Sequence, residues 1–261
     1  MGIQTFNESI LKVLQRRHTA RQAIEAFQNC RAAGFQNISI DLMYGLPGET
    51  LSTWQQDLDQ ALLLHPEHLS AYHLIYEEDT VLWKLREQHK VEEADEDLSV
   101  SLFSTLIDRL TSEGYDHYEI SNFSLPGLYS RHNSSYWTEK KYLGCGPSAH
   151  SYNGVSRQWN VASLDTYIKG ISAGTPVFEI EELDLYTRYN DFVITRIRTE
   201  WGMPLSKLRD EFGEKLYDYC LRMAAPHLKQ GTLELVNDIL KLTRKGIFIS
   251  DGIMSDMLWT D

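Results

Sequence analysis

The sequence predicts an α/β fold in which a parallel sheet is followed by a small, mostly helical domain. Two apolar, β-branched segments at residues 37–44 and 69–75 flank one helical segment, and this order of strand, helix and strand requires a crossover connection. The C-terminal third is mostly helical in its apolar spacing. We therefore predict two domains, residues 1–176 and 177–261.

The composition is typical of a folded globular protein. The 261 residues are 42% hydrophobic and 24% charged, which argues against a disordered, collagen-like or coiled-coil chain. The 25 basic and 37 acidic residues give a net charge of −12, which disfavours binding to nucleic acid or to anionic membranes. The sequence has no apolar run of the roughly 20 residues that a transmembrane helix needs, and no signal-peptide pattern. We expect a cytoplasmic protein.

Capping residues define the first two helices. Asn7 can cap a helix that runs to about Arg17. Thr19 and Gln22 form a capping box for a second helix, which ends at Gly34. Residues at three- and four-residue spacing should form the buried face of this second helix: Ala23, Phe27, Cys30 and Ala33.

Strands and helices alternate after these two helices. Residues 37–44 form the first buried strand, and the glycine-containing turn 45–48 leads into a helix over 52–64. After the second strand, the acidic segment 92–97 begins a helix that runs to about Ser112, because negative charge is favourable at a helix N-terminus.

The amino-acid composition and the predicted secondary structure change after residue 115. Residues 115–160 are rich in Tyr, His, Asn and Gly and predict short strands and turns, where we expect ligand recognition. A helix over 164–172 and the break at 174–176 end the first domain. The second domain should contain helices and one hairpin, at 184–197, 204–212, 213–224, 233–242 (the hairpin) and 251–258. Three helices with a small β-wing resemble a winged helix, and its excess of acidic residues favours packing or protein contact over DNA reading.

Six segments carry a resemblance to a known family. They are GIQTFN (2–7), IDLMYGLPGET (40–50), LSAYHL (69–74), YEISNF (118–123), RHNSSYW (131–137) and LGCGPSAHSYN (143–153). In this order and spacing they resemble the oxygen-independent coproporphyrinogen III oxidase family of radical SAM proteins, and most closely its HemW branch, the heme chaperones. The resemblance covers nearly the whole chain.

The resemblance implies a partial (β/α) barrel of the radical SAM type, of which this chain contains only the last strands. Such proteins begin with a CxxxCxxC motif for a four-iron, four-sulfur cluster and a glycine-rich turn for S-adenosylmethionine, and this sequence contains neither. Its three cysteines are far apart: Cys30, Cys145 and Cys220. We therefore expect no cluster in this chain, and no enzymatic activity of the chain alone.

The resemblance to this family also predicts an open sheet edge. About three and a half β/α units of the family pattern are missing before residue 2, so we expect a truncated chain or an incorrectly assigned start codon. The edge should leave Ile38, Ile40 and Leu42 partly uncovered. Unpaired edges favour association with another chain, so self-association is expected.

The resemblance also implies residues that bind S-adenosylmethionine. In the oxidase branch the positions that match Gln4, Arg16 and Asp41 contact a second S-adenosylmethionine, whose polar groups suit an amide, a guanidinium and a carboxylate. Gln4 and Asp41 fall at the carboxyl ends of adjacent strands, where such sheets bind ligands. The alternatives are a solvated Arg16 and an Asp41 that is a structural acceptor. For Asp41 we favour binding, because burying an unpaired acid is costly.

The segment RHNSSYW contains the HNxxYW pattern, which is the proposed heme-binding motif of the HemW branch. His132 would be the axial ligand of the heme iron, with Asn133 beside it in the motif. Tyr136 and Trp137 would offer flat apolar faces, and Arg131 would bind a propionate. The alternatives are a loop histidine bonded to the backbone and packing roles for the two aromatic rings.

Other polar residues in this region have weaker signals. Glu119 and Asn122 are expected to direct polar groups toward one site. Cys145 and His150 lack an orienting acid, so we do not expect a nucleophile and its base; Cys145 is either a second heme ligand or, as we favour, a small buried residue. The remaining histidines are predicted to be structural or exposed, among them His18, His65, His68, His73 and His89.

The family contains two activities. A heme chaperone would bind heme through His132 and pass it to a client protein, with S-adenosylmethionine and the cluster belonging to the full-length protein. An oxidase would convert coproporphyrinogen III to protoporphyrinogen IX in porphyrin biosynthesis by oxidative decarboxylation. The oxidase acts on a metal-free substrate that offers no iron to a histidine, so the pattern favours the chaperone. A third interpretation is an acidic α/β protein that only contacts other proteins.

Overall fold

A computed structural model describes residues 1–260. The protein is an α/β chain with two compact units, Met1–Ser130 and a second that begins at Arg131. The boundary between these units differs from the predicted domain boundary at 176–177, which falls inside the second unit. Within residues 1–260, no helix is both long and apolar enough to cross a membrane.

An open five-stranded sheet forms the centre of the first unit. Its order is β1-β2-β3-β5-β4, so β1 and β4 are the edge strands. The first three strands are parallel, as predicted, whereas β5 runs antiparallel to both β3 and β4. The strands are β1 Gly2–Gln4, β2 Ser39–Tyr44, β3 His68–His73, β4 Asp116–Glu119 and β5 Asn122–Ser124. Only two residues join β4 to β5, which is too short for a parallel crossover.

Five helices accompany this sheet: α1 Glu8–Val13, α2 Ala20–Ala32, α3 Leu51–Leu63, α4 Val81–Glu87 and α5 Glu96–Ser112. The predicted cap at Asn7 and the capping box at Thr19 are both present. Helix α1 is shorter than predicted. Gln15 adopts a left-handed conformation (φ 54°), and the N–H of Arg16 donates to the carbonyl of Leu11 at 2.9 Å. This Schellman-type closure ends the helix before Arg16.

Two predictions about burial in this unit are wrong. Ala33 is exposed and Cys30 is only half-buried, because α2 ends at Ala32 and covers its neighbours mainly with Ala23 and Phe27. The predicted uncovering of three sheet residues also fails: Ile38, Ile40 and Leu42 are all buried. The apolar side chains of β2 lie on the face covered by α5, so the open edge at β1 does not expose them.

The second unit contains two three-stranded antiparallel sheets, β6-β7-β8 and β10-β11-β9. Their strands are β6 His150–Tyr152, β7 Ser156–Asn160, β8 Phe178–Glu182, β9 Met203–Pro204, β10 Leu233–Val236 and β11 Ile239–Leu242. The helices are α6 Arg131–Trp137, α7 Leu164–Ser172, α8 Leu185–Ile197, α9 Leu205–Gln230, α10 Arg244–Ile247 and α11 Ser250–Met257. Helix α9 joins two predicted helices and continues beyond them, with a non-helical residue at Gly213 between them.

A tight turn connects β2 to α3, as the sequence predicts. Gly45 and Gly48 have positive φ angles of 72° and 73°. Glu49 closes the turn, because its Oε2 accepts hydrogen bonds from the N–H groups of Gly45 (2.7 Å) and Leu46 (3.2 Å). The other oxygen, Oε1, is buried without a hydrogen-bond partner in the described part of the chain. Burial raises the pKa of the Glu49 carboxyl to about 7.

We expect Gly45→Ala to destabilise the protein more than Gly48→Ala. Both substitutions introduce left-handed strain of about 1 kcal/mol. Only at Gly45 would the new Cβ also meet the His73 ring, 2.6 Å from Nε2, whereas Gly48 faces open space. His73 is held by Ser99, so the added clash should bring the loss to roughly 2–3 kcal/mol. Urea unfolding of both variants tests this, and equal losses would contradict it.

We expect Glu49→Gln to gain stability relative to the wild type as the pH rises. The folded protein retains a proton on Glu49 up to about pH 7, whereas the unfolded chain releases it near the ordinary value of 4.5. Ionisation therefore costs the wild type stability between these pH values, by up to roughly 3 kcal/mol. Burial lowers the pKa of His68 to about 4, and this makes the unfolding free energy rise with pH, opposite to the effect of Glu49.

His68 contributes this opposite pH dependence to the wild type and to Glu49→Gln alike, so it cancels when their unfolding free energies are compared. The difference in unfolding free energy between variant and wild type should therefore be measured at several pH values from 4.5 to 8. A difference that does not change with pH would refute the role of Glu49.

Candidate functional site

A row of polar residues crosses one face of the five-stranded sheet. Directly paired positions are Gly2 with Asp41, Asp41 with Ser70, Ser70 with Asn122, and Asn122 with Glu119. Residues paired in this way direct their side chains to the same face. Ile40 and Leu42 of β2 alternate with them and are buried on the opposite face. One face is therefore apolar and packed, and the other is polar.

Buried hydrogen bonds connect one end of this row. The Ser70 hydroxyl donates to Asn122 Oδ1 at 2.9 Å, and Asn122 Nδ2 donates to Glu119 Oε2. The N–H of Ser121 donates to the same carboxylate oxygen at 3.1 Å. Glu119 and Asn122, for which the sequence predicts a common site, are therefore in direct contact.

The three residues implied for S-adenosylmethionine lie at the other end of the row. A Cβ added to Gly2 would lie 2.6 Å from Gln4 Nε2 and 3.6 Å from an Arg16 guanidinium nitrogen. Gly2 is in turn the strand partner of Asp41, whose Oδ2 lies 3.9 Å from the Met1 α-ammonium. An amide, a guanidinium and a carboxylate thus gather around one glycine that leaves space for them. Arg16 is exposed, and Gln4 and Asp41 are half-buried.

A histidine that the sequence analysis set aside helps to order this face. His68 is buried between the Ser39 hydroxyl, 2.8 Å from Nδ1, and the Tyr118 hydroxyl, 2.7 Å from Nε2. Burial lowers the pKa of His68 to about 4, so its ring is neutral at neutral pH. The predicted structural role is confirmed for His68. The sequence analysis did not identify Ser39 and Tyr118 beside it, or Ser70 in the polar row. The alternation of polar and apolar residues in β2 could have indicated Ser39, whereas Ser70 and Tyr118 belong to other strands.

The second unit holds the predicted heme motif, and the motif forms a helix rather than a loop. The five residues proposed for heme lie on α6: Arg131, His132, Asn133, Tyr136 and Trp137. His132 and Tyr136 are four residues apart and share one exposed side of α6. Their rings are nearly perpendicular at a centroid distance of 5.2 Å, and the Tyr136 hydroxyl lies 3.4 Å from His132 Nε2. Arg131 is exposed at the start of the helix.

Trp137 has different surroundings. The Arg198 guanidinium lies over its ring, 4.2 Å from the centroid. Its Nε1 is buried and has no hydrogen-bond partner within residues 1–260. A cavity of about 150 Å³ lies beside α6, and Trp137 and Tyr136 both line it. The two aromatic residues of the motif therefore share a cavity but differ in exposure.

The loop after α6 exposes a thiol that the sequence analysis expected to be buried. Cys145 is exposed, and the loop around it is held by Asn160, whose Nδ2 donates to the carbonyls of Gly144 (3.3 Å) and Gly146 (2.9 Å). His150 stacks on Trp159 at a centroid distance of 5.9 Å. The prediction of a buried Cys145 is wrong.

An exposed imidazole suits a metalloporphyrin better than a bare metal ion. Within residues 1–260, no three His, Cys, Asp or Glu side chains are grouped as metal ligands would be. The porphyrin itself supplies four nitrogens to iron, so a single histidine can complete an axial position. The ring of His132 is accessible.

Comparisons with known proteins identify the family of this chain. Residues 1–61 match the Radical SAM superfamily, and residues 183–249 match the HemN C-terminal domain. The chain is 31% identical to the heme chaperone HemW of Lactococcus lactis, over 100% of this chain and 69% of that protein. It is 29% identical to heme chaperone HemW of Bacillus subtilis, over 98% of this chain and 68% of the relative.

The fold has a solved counterpart. Coproporphyrinogen III oxidase (HemN) from Escherichia coli superposes with a TM-score of 0.80 at 20% identity, over 98% of this chain and 63% of that structure. This likeness establishes the fold alone. The chain spans about two thirds of the length of the curated relatives it matches. Because the whole of this chain aligns with HemW of L. lactis at 31% identity, the chain belongs to the coproporphyrinogen III oxidase-like radical SAM family, in its HemW branch.

Proposed function

We propose that this chain binds heme through His132 and passes it to client proteins. The observation that carries the proposal is the exposed imidazole on α6, edge-on to Tyr136 and next to an aromatic cavity. The names of the relatives support it, since HemW of L. lactis and of B. subtilis are heme chaperones. An accessible ring allows heme to arrive and to leave without unfolding of the surroundings.

Each motif residue has a separate proposed role. His132 coordinates the iron, and Tyr136 and Trp137 contact the macrocycle. Asn133 is half-buried on α6, where it supports the helix that holds His132. Arg131 is exposed at the helix start, where it can reach a propionate only from outside the cavity.

The alternative function is oxidative decarboxylation of coproporphyrinogen III. The E. coli structure that shares the fold is such an oxidase, but fold alone does not transfer an activity. A porphyrinogen without iron has no use for an exposed imidazole ligand. The heme chaperone function therefore accounts for His132, and the oxidase does not.

S-Adenosylmethionine is proposed as a ligand of the first unit. Its sulfonium, ammonium and carboxylate groups complement the side chains gathered around Gly2, namely Asp41, Gln4 and Arg16. The four-iron, four-sulfur cluster is proposed only for longer relatives, because the three cysteines of this sequence cannot supply a set of close thiolates.

The finer architecture is also inferred. We interpret the five-stranded sheet as the last strands of a radical SAM-type barrel, and residues 177–261 as a winged-helix-like domain. The protein acts in the cytoplasm, and the free edge of β1 allows self-association. The acidic balance of the chain argues against nucleic acid as a partner.

We expect His132→Ala to weaken hemin binding by at least about tenfold, because the iron loses its axial ligand. Titration of hemin into the wild type should shift the Soret absorption band, and the variant should not reproduce this shift. The matched control is His89→Asn, which removes an exposed imidazole in the first unit and tolerates the left-handed backbone there (φ 53°). Identical spectra and affinities for His132→Ala and wild type would exclude His132 as the ligand.

We expect Asp41→Asn to weaken S-adenosylmethionine binding about tenfold, since the carboxylate loses its attraction for a cationic ligand. Asp59→Asn is the control, because Asp59 is an exposed acid of α3 that pairs with Arg109 of α5. Calorimetric titration of the three proteins measures the affinities. Equal affinities, or a wild type without binding, would refute the assignment.

A further inference from the structure

Arg157 lies in the wall of the cavity beside the heme motif. It belongs to β7, and its guanidinium forms an ion pair with Asp191 of α8 at 2.5 Å. Tyr136 and Trp137 of α6 line the same cavity. A charged, carboxylate-binding side chain therefore faces the same cavity as two residues proposed to contact heme.

A series of aromatic rings connects His132 to this arginine. Beyond the contact of His132 with Tyr136, the Tyr136 and Tyr142 rings meet edge to face at 5.0 Å, and Tyr142 lies 6.0 Å from Tyr152. Tyr152 is the direct strand partner of Arg157. A series of aromatic rings therefore leads from the imidazole to the strand partner of Arg157, and aromatic rings offer apolar contacts to a porphyrin.

The chemistry of heme explains why an arginine at this place matters. Heme carries two propionate carboxylates at one edge of its apolar ring. The planar guanidinium fork binds a carboxylate through two parallel hydrogen bonds. One guanidinium nitrogen of Arg157 lies 2.5 Å from one carboxylate oxygen of Asp191, so its present partner is already a carboxylate. A propionate would replace one carboxylate by another.

We propose that Arg157 anchors a heme propionate and that Asp191 competes with the propionate for the same guanidinium. The proposal rests on the heme-binding function of α6. Arg157 lines the cavity together with Tyr136 and Trp137, whereas Arg131 is not among its lining residues, so Arg157 is assigned as the propionate partner at the cavity. Competition by Asp191 lowers the affinity for heme, which suits a protein that must release its cargo.

The experiment compares hemin with hemin dimethyl ester, which keeps the iron and the ring but lacks both carboxylates. Affinities are measured by Soret titration for the wild type, Arg157→Gln, Asp191→Asn and the double variant. Arg21→Gln is the matched control, because Arg21 is an exposed arginine of the first unit that pairs only with Glu25 among the ion pairs described. Thermal unfolding verifies that each variant is folded.

Arg157→Gln should bind hemin about tenfold more weakly and bind the ester as the wild type does. Asp191→Asn should bind hemin roughly threefold more tightly, again without effect on the ester. The double variant should lie close to Arg157→Gln, since Asp191 acts only through the arginine. If Arg157→Gln does not fold, Arg157→Lys should show a smaller loss, specific to hemin.

The following results would overturn the anchor, the competition or the axial ligand. An unchanged hemin affinity in Arg157→Gln excludes the anchor, and an equal loss for hemin and ester assigns Arg157 to the structure of the cavity. A weaker or unchanged affinity in Asp191→Asn excludes competition. Loss of hemin affinity in Arg157→Gln but not in His132→Ala would refute the axial ligand and leave the anchor in place. Absence of hemin binding by the wild type would refute both.

Discussion

The separation of the five-stranded sheet into an apolar face and a polar face is the constraint on which the first unit depends. Alternate residues of a strand point to opposite faces, so burying Ile40 and Leu42 against helices forces Ser39 and Asp41 to the other side. A shift of one residue would bury the aspartate and expose the isoleucine. The register that stabilises the core therefore also determines where ligand-binding groups lie, and Gly2 leaves the space between them.

Local signals explain which parts of the fold could be predicted. The caps at Asn7 and Thr19 and the turn at Gly45 depend on residues a few positions apart, and all three are present. Helix α1 ends just before Gln15, which has the left-handed conformation that glycine normally adopts at this position. Because the residue is not glycine, the sequence did not indicate where the helix ends. Strand β8 is exposed along its whole length, and such an edge strand has no buried side to give it a recognisable pattern.

Long-range pairing explains which parts of the candidate sites could not be predicted. The contacts of Ser70 with Asn122 and of His68 with Tyr118 join residues about fifty positions apart, and sequence spacing carries no information about that register. The family resemblance predicted Gln4, Arg16 and Asp41 as binding residues, and these three lie around Gly2. The family resemblance also predicted the motif of α6. Nothing in its seven residues indicated that Arg157, on a separate strand, lines the same cavity.

The helical form of the heme motif changes how it can work. In a loop, the imidazole would have to be ordered when heme binds, and that ordering would oppose binding. On α6 the backbone is already fixed by its own hydrogen bonds, and packing of Trp137 under Arg198 ties this helix to α8. His132 thus lies on a backbone that is already helical, although its ring is exposed. Under the proposed function, such a preorganised ligand would bind heme without a folding step.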